Sequence, residues 1–458
     1  MSTDVAALPE TRNSTPATAV EAPSTAQHPT TTPPVAPLTP LWRNWRFQLL
    51  WIGSGTAFLG LGAADFAYPL VILMMTHSPA MAGLFGFVQM AASILAGLPA
   101  GVLVDRWDRR HTLIAAEAAR ALVTGSVAAA WAFGHLTVVH LLVVGGLLGA
   151  LSPFGSAARM LMVRAVVPKE QLTRALTQDE VRSAATGLAG PPLGGVLLMV
   201  SRALPFLFCA ITFLVSLCTA LIVRIPAARP TTATKQPGAP EAAVTVAAAA
   251  PPAPETRADN SIFRGVRELW ANRTMRAALT MISLMNVGGT ALFLAVIVLL
   301  QNAGTSPRGI GIAAAGEAVG TLVGTALVGS LHRRVAPGML LIALGALFVA
   351  ATPLLAVPWG PWWVFAVIGI AVLGVPAMRV LIDVLIFRQV PDEQRGRTIT
   401  AVMTVITIGI PFGTLAGGLC LQWFGATATI LAVSGLNLVA LVITAADARL
   451  RAARWPAT

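Results

Sequence analysis

The chain has 458 residues, 56% hydrophobic and 11% charged, with a mean hydropathy of +0.75 and a formal net charge of +12. So few charges cannot cover a water-soluble globule of this size, which excludes that class. Nucleic acid is not implied by the positive balance, because the basic residues sit in short stretches between apolar runs.

Those runs are each long enough to cross a hydrocarbon core of about 30 Å. Lipid offers the backbone no hydrogen-bond partners, so they must be helices, and the alternating ten-residue segments of a barrel are missing. Residues 1–40, rich in Pro, Thr and Ala, predict a disordered tail rather than a signal peptide. Runs near 47–75, 82–104, 111–134, 138–165, 174–200 and 205–224 build an N-terminal bundle over 41–225. The stretch 226–260, with seven prolines among Ala and Thr, reads as a flexible linker. Runs near 274–301, 309–331, 338–357, 362–388, 397–422 and 427–446 build a C-terminal bundle over 261–448, followed by a tail at 449–458. The expected fold is all-α, with twelve transmembrane helices in two six-helix bundles.

One set of loops carries Arg106, Arg109, Arg110, Lys169, Arg174, Arg333, Arg334, Arg388, Arg395 and Arg397, whereas the opposite set offers only Arg202 and Arg308. That bias predicts a cytoplasmic basic side, with both termini and the linker on it. Trp359, Trp362 and Trp363, around Pro358 and Pro361, predict an interfacial aromatic belt on the far side.

The halves repeat one another. A shift of 223 pairs Pro168 with Pro391, Glu170 with Glu393, Gln171 with Gln394 and Arg174 with Arg397. The same shift pairs Gly194 and Gly195 with Gly417 and Gly418, Gly97 with Gly320, Gly101 with Gly324, and Arg110 with Arg333. The entries LWRN at 41–44 and LWAN at 269–272 match at 228. Two parallel units imply a pseudo-two-fold axis along the membrane normal with a cavity between them, which suits alternating access.

The loop GVLVDRWDRR at 101–110 resembles the signature loop of the major facilitator superfamily. Gly101, Asp105, Arg106, Arg109 and Arg110 match it, while Asp108 stands where many members have Gly. With LWRNWRFQLLW at 41–51 and VPDEQRGR at 390–397, the chain resembles the drug, macrolide and enterobactin exporter branch over residues 41–448. The resemblance implies a latch that closes the cytoplasmic side, with Gly101 admitting a neighbouring helix. GLAGPPLGG at 187–195 resembles the exporter-associated motif, with Gly190, Pro191, Gly194 and Gly195 matching and Thr186 in place of a further Gly. The arginine that many proton antiporters carry midway along the fourth helix is missing; Arg159 comes only near its cytoplasmic end.

Ionisable residues inside a membrane are costly and mark function. Asp65 on the first helix and Glu317 on the eighth fall at similar depth in the outer half and are the candidates for proton or substrate coupling. Tyr68, Asn286 and Thr290 are candidate cavity residues. Toward the cytoplasm, Glu117 with Arg120, Asp179 with Arg182, and Arg379 with Asp383 share helix faces and, with Arg159, are candidates for a gate. Cys209, Cys218 and Cys420 have neither disulfide nor metal-ligand spacing, and no phosphate-binding loop exists, so no cofactor or metal is expected. The expected partners are a small amphipathic substrate, protons and the bilayer. Nothing calls for an oligomer, and an exporter acting as a monomer in the cell membrane is the expected function. An importer on the same fold is the rival, ahead of a membrane enzyme or sensor.

Overall fold

The computed structural model describes residues 40–223, 273–357, 359–380 and 392–446. The tail and linker expectations lie outside the described residues, as does Asp383. The first half comprises α1 (Trp45–Thr76), α2 (Pro79–Arg106), α3 (Arg109–Ala132), α4 (Val138–Val166), α5 (Leu172–Val200) and α6 (Leu204–Ile222). The second half begins with α7 (Arg273–Asn302), α8 (Pro307–Arg334), α9 (Pro337–Ala351) and α10 (Pro361–Val372), the last turning at 373–374 and resuming to Val380. A final helical run, Asp392–Ala446, breaks at Gly425 into α11 (392–424) and α12 (426–446). Gly425 has φ 77° and ψ 175°, a conformation open to glycine and closed to residues with a Cβ. Among the described residues eleven helices are long and apolar enough to cross a bilayer, and the break at Gly425 brings the number to twelve.

The helix starts are written in the loops. Proline occupies the first position of α2, α8, α9 and α10, where a missing N–H costs nothing. Asn44 accepts from the Phe47 N–H, Thr137 from His140, and Asp108 from His111 at 2.8 Å. Asp108, at the position of the signature loop where glycine is usual, is thus the cap of α3. The His111 N–H holds its exposed carboxyl below the usual carboxylate range.

Inside each half, small residues let backbones touch, as lipid requires. A Cβ on Gly53 would meet Thr219, and one on Gly60 would meet Thr212, locking α1 to α6. Phe66, Phe85, Phe206 and Phe213 fill the first half; Leu341, Leu344, Phe348 and Ile430 fill the second.

The repeat reappears as packing. Gly190 lies on Gly62 and Gly194 on Ala63; Gly413 lies on Val287 and Thr290, and Gly417 on Ala291. The α5 and α11 glycines are related by 223, whereas Gly62 and Ala63 reach Thr290 and Ala291 by 228. Gly195 then meets the Pro307 carbonyl of α8, and Gly418 meets the Pro79 carbonyl of α2. Pro79 and Pro307 are again 228 apart. Each half therefore offers the same glycine to the same helix start of the other.

This symmetric seam lies at the end opposite the basic loops. Ser78 donates to Gln422 at 2.8 Å, and the rings of Phe87 and Phe412 meet edge to face at 5.6 Å. Pro191 and Gly311 close the α5–α8 side. Toward the basic end a Cβ on Gly97, Gly101 or Gly187 would meet nothing within 4 Å. Among the described residues the halves thus touch at one end, and these glycines make no such contact at the other.

Gly101 corrects its expectation: it seats no neighbouring helix in this state. Gly320 and Gly324, which the 223 shift pairs with Gly97 and Gly101, do seat one, lying on the carbonyls of Gly369 and Leu373 in α10. In the first half the corresponding glycines come from α4, where Gly145 and Gly149 lie on Phe85 and Gln89 of α2. The register along α2 and α8 is 228, as their proline starts show, so the 223 match of those glycines does not carry through to packing.

Candidate functional site

The first half buries a chain of charged and polar groups. Asp65 lies 11 residues before the end of α1, roughly 16 Å from the closed end, and Gln89 lies 10 residues into α2 at the same depth. Gln89 Nε2 donates to Asp65 Oδ1 at 3.0 Å, and Asp65 keeps partial exposure. The carboxylate is held through one of its oxygens.

Arg120 on α3 lies within electrostatic reach of Asp65. It donates to the Leu151 carbonyl at 3.2 Å, stands 3.7 Å from Glu117, and lies 5.6 Å over the Phe213 ring. Gly155 makes room for it, since a Cβ there would meet its guanidinium at 2.8 Å. Glu117 is fully buried and accepts a short hydrogen bond from Arg159, closer than its ion pair with Arg120. Two acids and two arginines thus balance on α1, α3 and α4, as a water-poor interior demands.

Nearer the basic end, Arg182 Nε and Nη2 both donate to Asp179 Oδ1, at 3.0 and 2.6 Å. The guanidiniums of Arg182 and Arg159 lie 4.9 and 5.4 Å from the Phe58 ring centroid, so this α1 ring stands between cations from α5 and α4. The predicted gate residues Glu117, Arg120, Arg159, Asp179 and Arg182 therefore come together within one half. Among the described residues none of their ion pairs crosses to the other. Arg379 is exposed on α10.

Glu317 lies 10 residues into α8, roughly 15 Å from the closed end, so its depth matches Asp65. Its surroundings differ, because its side chain is exposed and makes no hydrogen bond or ion pair with the described residues. Tyr68 is not a cavity residue. It is fully buried, with its ring 4.6 Å from Phe85 and 4.8 Å from Phe206. Asn286 spends its amide on the Ile282 carbonyl of its own helix. Thr290 donates to Val287 at 3.0 Å and sits in the α7–α11 seam against Gly413.

At the basic end Asp105, Arg106 and Arg109 are exposed, and Asp105 makes no ion pair with the described residues. Arg110 instead caps α6, reaching the carbonyls of Leu221 and Val223 at 2.6 and 3.2 Å. Gly190, Pro191, Gly194 and Gly195 form the junction of α1, α5 and α8. Sequence reasoning missed Gln89 and Phe58. A lone amide in the apolar α2 was a readable signal; an aromatic residue in an apolar helix was not.

These features define a transporter fold of two symmetric halves. A family model of the Major Facilitator Superfamily matches residues 50–297 and 277–453, and the chain belongs to that superfamily. It is a multi-pass membrane transporter, not an enzyme. Over 359 residues it is 24% identical to the enterobactin exporter EntS of Escherichia coli O1:K1 / APEC, covering 77% of this chain and 79% of that protein. Over 151 residues it is 28% identical to the multidrug efflux pump Tap of Mycobacterium bovis (strain BCG / Pasteur 1173P2), covering 31% of this chain and 35% of that one. Among solved structures, its fold matches a bacterial homolog of the human lysosomal transporter Spinster in an inward-facing, unoccupied conformation. The TM-score is 0.65 at 16% identity, covering 92% of this chain and 100% of that one.

Proposed function

We propose that this transporter is a secondary active exporter of small amphipathic organic molecules, driven by exchange for protons. The observation that carries the reading is Asp65: an intramembrane acid, half-held by Gln89, partly exposed, and set beside a charge-balanced cluster. Such a group can bind a proton in one state and release it in another. The basic end is the cytoplasmic one by the positive-inside rule, with both termini and the linker there, in the cell membrane. The state described above is then inward-open, ready to load from the cytoplasm. The printed names of the relatives, an exporter and an efflux pump, support outward movement.

In the outward-open state, the Gly101–Arg110 loop closes the cytoplasmic side as a latch. Glu317 is the second coupling acid, on the opposite wall. The folded unit works as a monomer.

The test is counterflow and gradient-driven flux of an amphipathic dye in proteoliposomes. A proton gradient should accelerate transport of the dye against the proton flow. Asp65→Asn should lower the gradient-driven component by about tenfold or more while sparing counterflow, since only the coupled step is lost. Dye moving with the protons would make the protein an importer, and gradient-insensitive flux would end the antiport reading.

A further inference from the structure

Arg182 lies toward the basic end, 10 residues into α5, roughly 15 Å from that end. It is only 5% exposed, yet among the described residues its Nη1 has no hydrogen-bond partner. A buried guanidinium N–H left unmade is costly, so a purely structural clamp would have used it. Its other two nitrogens share one oxygen of Asp179, whose side chain is 49% exposed. A partner that water already half-solvates is one that a ligand can displace. Gly55 shapes the place from α1, since a Cβ there would press on Arg182 Cδ at 3.3 Å.

The second feature is Phe58, which is 38% exposed although flanked by two buried guanidiniums. Arginines this deep face the bundle interior or an aqueous cavity, not lipid, so the open side of Phe58 faces the space between the halves. The site therefore offers an aromatic face, a free guanidinium N–H and a second cation in Arg159. A planar acid on an aromatic body is matched by the unmade guanidinium N–H and by the ring face.

We propose that Arg182 and Phe58 form the substrate-binding wall for an anionic aromatic molecule, whose acid group takes the free Arg182 Nη1 and displaces Asp179 into water. This names the substrate class within the transport reading above and rests on it. Asp65, deeper and farther from the open end, is left to the proton.

The test uses the full-length protein in lipid nanodiscs with three probes of one shape: 2-naphthoate, neutral 2-naphthamide and the cation 2-naphthylmethylammonium. Equilibrium binding should favour the acid over the amide by about tenfold, the value of one charge-assisted hydrogen bond. Arg182→Gln combined with Asp179→Asn, which leaves neither charge alone, should erase that preference. Phe58→Leu keeps every ion pair and should weaken acid and amide alike by several-fold. Amide or ammonium binding as tightly as acid, acid preference surviving the double variant, or unchanged affinity in Phe58→Leu would overturn the site. Counterflow of the same probes in proteoliposomes reads separately. Flux without acid preference removes the anion site and leaves the transporter reading, whereas no flux of any probe removes the exporter reading whatever the binding shows.

Discussion

At Gly194 and Gly417 the two halves do the same thing, each admitting a helix of its own half, and one residue later each admits the other half. A few residues away along the same helices they diverge. By the 228 register, Asp65 corresponds to Phe293 and Gln89 to Glu317. The first half thus carries its acid on α1 with an amide facing it, while the second carries an acid on α8 and a phenyl ring where the other acid would be. The first buries Glu117, Arg120, Arg159 and Arg182 as well. Symmetry is kept where the halves must dock and abandoned where charge must be handled. The scaffold is shared, and the chemistry belongs mainly to one half.

The sharpest way to break this comparison is to remove one acid from each half. Glu117→Gln leaves Arg159 and Arg120 without their buried counter-charge and should cost about 3–5 kcal/mol, read as a large fall in melting temperature in detergent. Glu317→Gln removes an exposed group that has no ion pair among the described residues and should stay within about 0.5 kcal/mol. Equal effects would mean the second half holds its acid as tightly as the first.

The docking symmetry is tested next. Gly195→Val drives a side chain into the Pro307 carbonyl, and Gly418→Val does the same at Pro79. Each should destabilise the closed far end by about 1–3 kcal/mol, shifting the population toward the opposite state. Disulfide formation between Ser78→Cys and Gln422→Cys, which sit at that end, should slow in both variants. A response to only one of them would show that the halves do not share the load.

Much of this is legible in the sequence. Helix positions and the two-bundle fold follow from apolar length, because a bilayer leaves the backbone no alternative. The paired glycines of α5 and α11 were visible as a repeat. What was not legible is what lies across from each side chain. Tyr68 is a cavity candidate by sequence, three residues after Asp65, but the residual rotation turns it into the Phe85–Phe206 core while Asp65 reaches Gln89. Likewise Gly97 matched Gly320 in sequence and not in packing, because the loops shift α2 and α8 by five residues relative to α5 and α11. Partners across helices depend on rotation and register, which a single chain does not display.

The smallest prediction concerns the start of α3, at the loop where the resemblance expected glycine. Asp108→Ala should cost about 1 kcal/mol and Asp108→Gly only a few tenths, because glycine is a tolerable cap. Its carboxyl is held below the ordinary range in the folded chain. The cap's contribution is therefore complete above the unfolded-state value and is lost as pH falls through the lowered folded value. Melting temperature against pH for the wild type and Asp108→Ala should converge in acid; parallel curves would remove the cap from the account.

The glycine contacts with Pro307 and Pro79 have a consequence of their own. At the far end the glycine contacts press backbone on backbone, apart from the wall that would meet a cargo, so this part of the stopper is blind to what is being carried. The wall around Phe58 and Arg182 can be rewritten for a new cargo without refitting the stopper. One body plan can in this way serve many molecules while staying leakproof.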